Sequence, residues 1–130
     1  MIMKETRLIN TTALAYLGDA VYEQAVREHL LREGNEDVHK LHGLATEFVR
    51  ASAQSRIIKT VFVELTETEQ NLVKRARNRK PVTRAKNADP LDYRWATAME
   101  ALTGYLYLEG DSSRLEWFLN RAIAIIEQNM

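Results

Sequence analysis

The chain has 130 residues, 45% of them apolar, and equal numbers of acidic and basic side chains, so its formal net charge is zero. This composition excludes a disordered chain and a polycation, and any nucleic-acid surface must come from local clustering of charge. Cysteine is absent, which excludes disulfide bonds, a thiolate nucleophile and a cysteine zinc site. No apolar run approaches the ~20 residues of a membrane span, and the N-terminus lacks a signal-peptide core. We expect one cytoplasmic domain over residues 1–130, with no membrane contact.

Apolar residues recur at spacings of three and four along most of the chain, which predicts amphipathic helices. The first helix is predicted to begin at Thr11 or Thr12, either of which could cap it, and to stop at Gly34. Asn35 or Asp37 could cap the second helix.

The helices further along the chain are marked by capping patterns. β-branched residues near Val61 make a strand conceivable, but a single strand without a partner is unfavourable, so we predict a helix there. The sequence at Thr66–Glu69 matches a capping box. The pair Asp89–Pro90 marks another helix start, and that helix should end at Gly110. A second capping-box pattern, Ser113–Glu116, opens the last helix. We therefore predict an all-α domain of about six helices.

The segment Ala13–Tyr22 is an apolar helical run with one acid, Asp19, in its middle and Gly18 directly before it. Burying an unpaired charge and placing glycine inside a helix are both unfavourable, so the two together indicate a site. Glu23 lies one turn after Asp19 and is interpreted as a surface residue paired with Arg27.

Glu100 is the best partner for Asp19, because it is also a single acid in an apolar helix, one turn before Gly104. If the two glycine-containing faces pack, both carboxylates point into the same space, where they repel unless a cation lies between them. A hard divalent ion, Mg²⁺ or Mn²⁺, suits oxygen ligands. The alternative is that each acid is solvated at the edge of its helix.

A basic stretch without acids lies between Gln70 and Asp89. Arginine, lysine and asparagine side chains suit an RNA phosphate backbone, although charged runs are also common in solvated loops. The candidate RNA-binding residues are Lys74, Arg75, Arg77, Asn78, Arg79, Lys80, Arg84 and Lys86.

Two segments, Tyr16–Val21 and Met99–Leu108, resemble the signature segment and the late metal-binding helix of the ribonuclease III family. The nearer resemblance is to Mini-ribonuclease III, the short form without a separate double-stranded-RNA-binding domain, and it extends over nearly the whole chain. Further similar blocks are Leu14–Glu23, Ala45–Gln54, Arg75–Asn78 and Tyr93–Thr97.

The resemblance implies an all-α endoribonuclease, a homodimer, and Mg²⁺-dependent hydrolysis of double-stranded RNA. By position, Asp19 matches the family's catalytic Asp and Glu100 its metal-binding Glu, so both are candidate catalytic residues and metal ligands. Tyr16 matches an aromatic residue that full-length relatives bury across the dimer interface. The implied substrate is the precursor of 23S ribosomal RNA, and a ribosomal protein could assist.

The sequence departs from full-length relatives at three acidic positions, where it has Thr12, Ala15 and Thr97. Fewer protein ligands argue against a tightly held second metal ion and suggest more water in the coordination shell. A non-catalytic RNA-binding protein on the same fold is therefore the alternative, and a helical protein-interaction module is a third reading that leaves the basic stretch unexplained.

Overall fold

The computed structural model describes residues 5–80 and 89–130. Within these ranges the chain forms helices and turns and no strand, which confirms the all-α prediction. No helix in the described ranges is both long and apolar enough to cross a membrane. The α-helices in the described ranges are α1 (Thr11–Arg32), α2 (Val38–Val49), α3 (Ala51–Val61), α4 (Glu67–Asn78), α5 (Pro90–Glu109) and α6 (Ser112–Glu127).

Helix α1 begins one residue earlier than its predicted caps allow. The side chain of Asn10 accepts a hydrogen bond from the backbone N–H of Thr12 at 2.8 Å, so Asn10 is the cap. The prediction that Thr11 or Thr12 caps the helix is therefore wrong, because a better capping residue directly precedes them. The helix ends at Arg32, and Gly34 lies in the turn that follows.

The later boundaries agree with the sequence except at α6. Asp37 caps α2 and Asp89 caps α5, whose C-terminal Gly110 adopts the left-handed conformation that glycine tolerates best. Helix α6 is capped by Asp111, which accepts a hydrogen bond from the Arg114 N–H at 3.0 Å. The predicted capping box at Ser113–Glu116 is therefore wrong, since an aspartate two residues earlier takes that role.

The predicted capping box at the start of α4 is confirmed, and it also anchors α6. Glu69 bonds back to the Thr66 N–H at 2.8 Å, and its buried carboxylate accepts two hydrogen bonds from Arg114 at 2.7 and 3.0 Å. Burial alone would raise the pKa of Glu69, but the hydrogen bonds from Arg114 and Thr66 hold it below its usual value. This ion pair fixes the start of α4 against α6.

Helix α5 is the central helix, packed against α1, α3, α4 and α6. Its crossing with α1 depends on two glycines. A Cβ atom built on Gly18 would lie 1.7 Å from the backbone oxygen of Glu100, and one built on Gly104 would lie 2.1 Å from the backbone oxygen of Leu14. Both distances are far shorter than a van der Waals contact, so only glycine permits this approach.

We expect Gly18→Ala to separate α1 from α5 and to destabilise the fold by about 2 kcal/mol or more, because the new methyl group overlaps a backbone carbonyl. Urea denaturation measures this effect. Gly43→Ala in α2 is the matched control, because a Cβ atom there meets no atom within 4 Å. It should leave stability unchanged or raise it by up to about 1 kcal/mol through better helix propensity. Equal effects of the two substitutions would contradict the packing argument.

Candidate active site

The two acids singled out in the sequence meet at the crossing of α1 and α5. Gly18 packs against the backbone of Glu100, so the residue after it, Asp19, reaches the Glu100 carboxyl. Asp19 is exposed and Glu100 is partly buried. The glycine contact therefore brings the two acids close enough to interact, as the sequence predicted.

The electrostatics of this pair are unfavourable without a cation. Burial, followed by the charge of Asp19 and a hydrogen bond to it, raises the pKa of Glu100 to about 8. The charge of Glu23 raises it further, while a hydrogen bond from Gln54 lowers it. A divalent cation would relieve the repulsion, and the hard oxygen donors of Asp19 and Glu100 fit Mg²⁺ or Mn²⁺.

Gln54 on α3 is a neighbour of the acidic pair that sequence reasoning did not single out. Its side chain is 3% exposed, its Nε2 donates to the backbone oxygen of Val49 at 2.7 Å, and it contributes to the pKa of Glu100. Its Oε1 finds no hydrogen-bond partner among the described residues. A signal was available, because Gln54 is a polar residue on the helix face that carries Ile57, Ile58 and Val61.

The positions that carry acids in full-length relatives do not supply substitutes here. Thr12 is exposed, and Ala15 is buried without a polar side chain. The hydroxyl of Thr97 donates to the backbone oxygen of Tyr93 within the same helix at 3.0 Å. Glu23, which the sequence analysis treated as a surface residue, does pair with Arg27 at 3.2 Å, but its charge also reaches Glu100.

A separate cluster of metal-capable groups lies elsewhere in the fold. His29, Glu33 and Glu127 place three donor atoms within 4.8 Å of one another at the C-terminal ends of α1 and α6. His29 Nε2 lies 2.8 Å from a carboxylate oxygen of Glu127, which is an ordinary hydrogen-bond distance. This cluster does not include Asp19 or Glu100 and is distinct from the predicted site.

The described part of the basic stretch forms the C-terminal end of α4 and the residues after it. Lys74, Arg75, Arg79 and Lys80 are exposed, as is Asn78, and Arg77 is partly buried. Arg84 and Lys86 lie outside the described residues.

Several of these basic side chains are held in place by neighbours. Arg75 donates to the backbone oxygen of Arg7 at 2.8 Å, and Arg77 donates to Asn78 Oδ1 at 3.0 Å. Arg75, Asn78 and Arg79 also line a cleft of about 690 Å³ shared with the residues that precede α1. The end of α4 thus presents cations and an amide to one open cleft.

Tyr16 lies on α1, three residues before Asp19, and is 85% exposed. The prediction that Tyr16 lies at a dimer interface stays a prediction.

The Ribonuclease III domain profile matches residues 12–111 of this chain, which include both acids and both glycines of the crossing. The chain therefore belongs to the ribonuclease III family and is an endoribonuclease; members of this family act on double-stranded RNA, generally depend on a divalent metal ion and are generally dimeric.

Two individual relatives and one solved structure are similar to this chain over nearly its whole length. The chain is similar to Mini-ribonuclease 3 of Brevibacillus brevis, with 45% identity over 97% of this chain and 94% of the relative. It is similar to Mini-ribonuclease 3 of Streptococcus pneumoniae, with 43% identity over 96% of this chain and 99% of the relative. An X-ray structure of a Fusobacterium nucleatum protein superposes with a TM-score of 0.83 at 30% identity, covering 98% of this chain and all of that one. The predicted family and fold are confirmed.

We expect Glu100→Gln to stabilise the metal-free protein increasingly as pH rises. The pKa of Glu100 in the folded protein is about 8, above its ordinary value of 4.5. Folding therefore favours the protonated carboxyl, and the folded protein loses stability as the pH rises from 4.5 to 8. Glutamine carries no charge and escapes this loss. Urea denaturation in EDTA should show the variant gaining about 2 kcal/mol or more over wild type between pH 5 and pH 8.5.

Glu28→Gln, at an exposed position two turns along α1 from Gly18 and Asp19, is the control for this measurement. Its stability difference from wild type should not change with pH. Parallel pH curves for wild type and Glu100→Gln would show that the pKa of Glu100 is not raised in the folded protein.

Proposed function

We propose that this protein is a homodimeric, Mg²⁺-dependent endoribonuclease that cleaves double-stranded RNA with Asp19 and Glu100 and matures the precursor of 23S ribosomal RNA in the cytoplasm. The observation that carries the proposal is the contact of two carboxyls, one with a pKa raised to about 8, at the glycine crossing of α1 and α5. Such a pair is a poor structural element and a good cation site.

In this proposal, Asp19 and Glu100 hold the ion and orient it toward the phosphodiester. When bound, Mg²⁺, or Mn²⁺ in its place, supplies charge stabilisation at the phosphate and lowers the pKa of a water. Asp19 is the exposed member and faces the incoming strand, while Glu100 is partly buried and its pKa is influenced by Gln54. The small set of protein ligands leaves room for water around the ion.

The basic stretch binds the RNA backbone in this proposal. Lys74, Arg75, Arg77, Asn78, Arg79 and Lys80 supply cations and one amide, and Arg84 and Lys86 extend the same charge along the sequence. Duplex RNA is recognised mainly through its A-form shape, phosphates and 2′-hydroxyls, so these residues act without reading a sequence. The cleft beside Arg75 and Arg79 supports a phosphate contact there.

The proposed dimer rests on the family resemblance and on Tyr16, and the proposed substrate rests on the resemblance alone. A two-fold dimer would present two equivalent sites to the two strands of a duplex. The exposed Tyr16 ring supports an interface on the same helix as Asp19. The ribosomal-RNA precursor as substrate, and possible help from a ribosomal protein, follow from similarity to the Mini form.

We expect Asp19→Asn and Glu100→Gln each to slow cleavage of duplex RNA in Mg²⁺ by roughly 100-fold or more, because either change removes a charged ligand of the ion. RNA affinity measured in EDTA should stay within a few-fold of wild type. The control Glu28→Gln should cleave normally. Wild-type cleavage by either acid variant would remove that residue from the site.

We expect Tyr16→Arg to convert the dimer to a monomer, because a buried unpaired charge at an interface is strongly unfavourable. Analytical ultracentrifugation measures the change. Tyr107→Arg is the matched control, since Tyr107 is also exposed but lies on α5. If only Tyr107→Arg dissociates the dimer, the interface lies on α5 and the proposed role of Tyr16 is wrong.

A further inference from the structure

Trp95 on α5 has two cations over its ring, and they come from two other helices. The ammonium nitrogen of Lys59, on α3, lies 5.6 Å from the ring centroid, and the guanidinium carbon of Arg77, on α4, lies 4.9 Å from it. Trp95 is partly buried against the core, so the ring itself has a fixed position. Three helices therefore meet at one indole ring, which has two cationic side chains beside it.

Two like charges near one ring repel each other. Among residues 5–80 and 89–130, neither Lys59 nor Arg77 forms an ion pair with an acid. The indole face attracts each cation, but this attraction is modest for side chains that are still in contact with water. Lys59 is exposed, so the pair is open to an anion from solution.

A second cation of α4 also lies over an aromatic ring, one turn earlier along the helix. Lys74 lies 5.8 Å from the ring centroid of Phe62. Arg77 is further restrained by its hydrogen bond to Asn78. A guanidinium that is already oriented loses less conformational entropy when it binds a phosphate.

We propose that Trp95 is a positioning residue that holds Arg77 and Lys59 together as a binding site for neighbouring phosphates of one strand of duplex RNA. This inference rests on the proposed function, in which Arg77 belongs to the RNA-binding stretch. It adds Lys59, which lies on α3 far from that stretch in sequence, to the RNA-binding surface. Trp95 acts through the two cations and does not stack on a base.

The experiment measures duplex RNA binding in EDTA over a range of salt concentrations, followed by steady-state cleavage in Mg²⁺. Lys59→Gln should weaken binding and reduce the slope of log affinity against log salt by about 1, as expected for the loss of one phosphate contact. Trp95→Leu, which keeps an apolar side chain but removes the ring, should weaken binding about threefold to tenfold. Trp95→Tyr keeps an aromatic face and should restore most of the affinity.

Two further comparisons separate positioning from a general structural effect. In an Arg77→Gln, Lys59→Gln background, Trp95→Leu should cause no additional loss, since the ring has no cations left to hold. Trp95→Leu should also raise KM more than it lowers kcat. Trp117→Leu is the matched control, because its ring also carries a cation, Arg114 at 3.9 Å, but that cation is tied to Glu69. Its RNA affinity should equal that of wild type.

The outcomes distinguish this inference from the function on which it rests. If Arg77→Gln leaves RNA affinity unchanged, the RNA-binding role of the basic stretch is wrong. If Arg77→Gln weakens binding but Lys59→Gln and Trp95→Leu do not, the inference alone is overturned. An equal loss from Trp95→Leu with and without the two cations would also overturn it, because the ring would then act independently of them.

Discussion

The close approach of α1 and α5 is the constraint on which the site depends. Gly18 and Gly104 remove the side chains that would otherwise hold the two backbones apart, and the Glu100 carbonyl occupies the space that a Cβ at Gly18 would need. Asp19 follows Gly18 directly, so the same contact that packs the helices also brings the acids together. Stability and site geometry therefore share one crossing, and neither glycine can change without affecting both.

The charges follow from that crossing. Burial, and after it the charge of Asp19, raises the pKa of Glu100, and a cation between the two carboxyls would relieve their repulsion. The opposite charge is concentrated at the end of α4, where Lys74 and Arg77 lie over aromatic rings. One part of the molecule thus needs a positive ion and another needs anions. A divalent metal ion would provide the positive charge, and the phosphates of an RNA backbone would provide the anions.

The sequence predicted the acidic pair because an unfavourable residue in an apolar helix face is visible from spacing alone. It also predicted the capping box at Thr66 and the starts of α2 and α5, where one residue type dominates the choice. It misplaced the caps of α1 and α6, because Asn10 and Asp111 lie within two residues of the threonine and serine candidates, and Asn10 is the stronger cap of the two types at α1.

The contacts of Gln54 and of Trp95 with Lys59 were not predictable from spacing. They join helices that are distant in sequence, and each depends on how two other helices pack against α5. Helix periodicity places a residue on a face but does not say which residue of another helix it meets.

The measurement that tests the central claim most directly is anomalous diffraction from crystals of the protein soaked in Mn²⁺. The account predicts a strong anomalous peak within coordination distance of both the Asp19 and the Glu100 carboxylates, with water completing the shell. A peak at His29, Glu33 and Glu127 with none at Asp19 and Glu100, in a protein that cleaves duplex RNA in Mn²⁺, would contradict it.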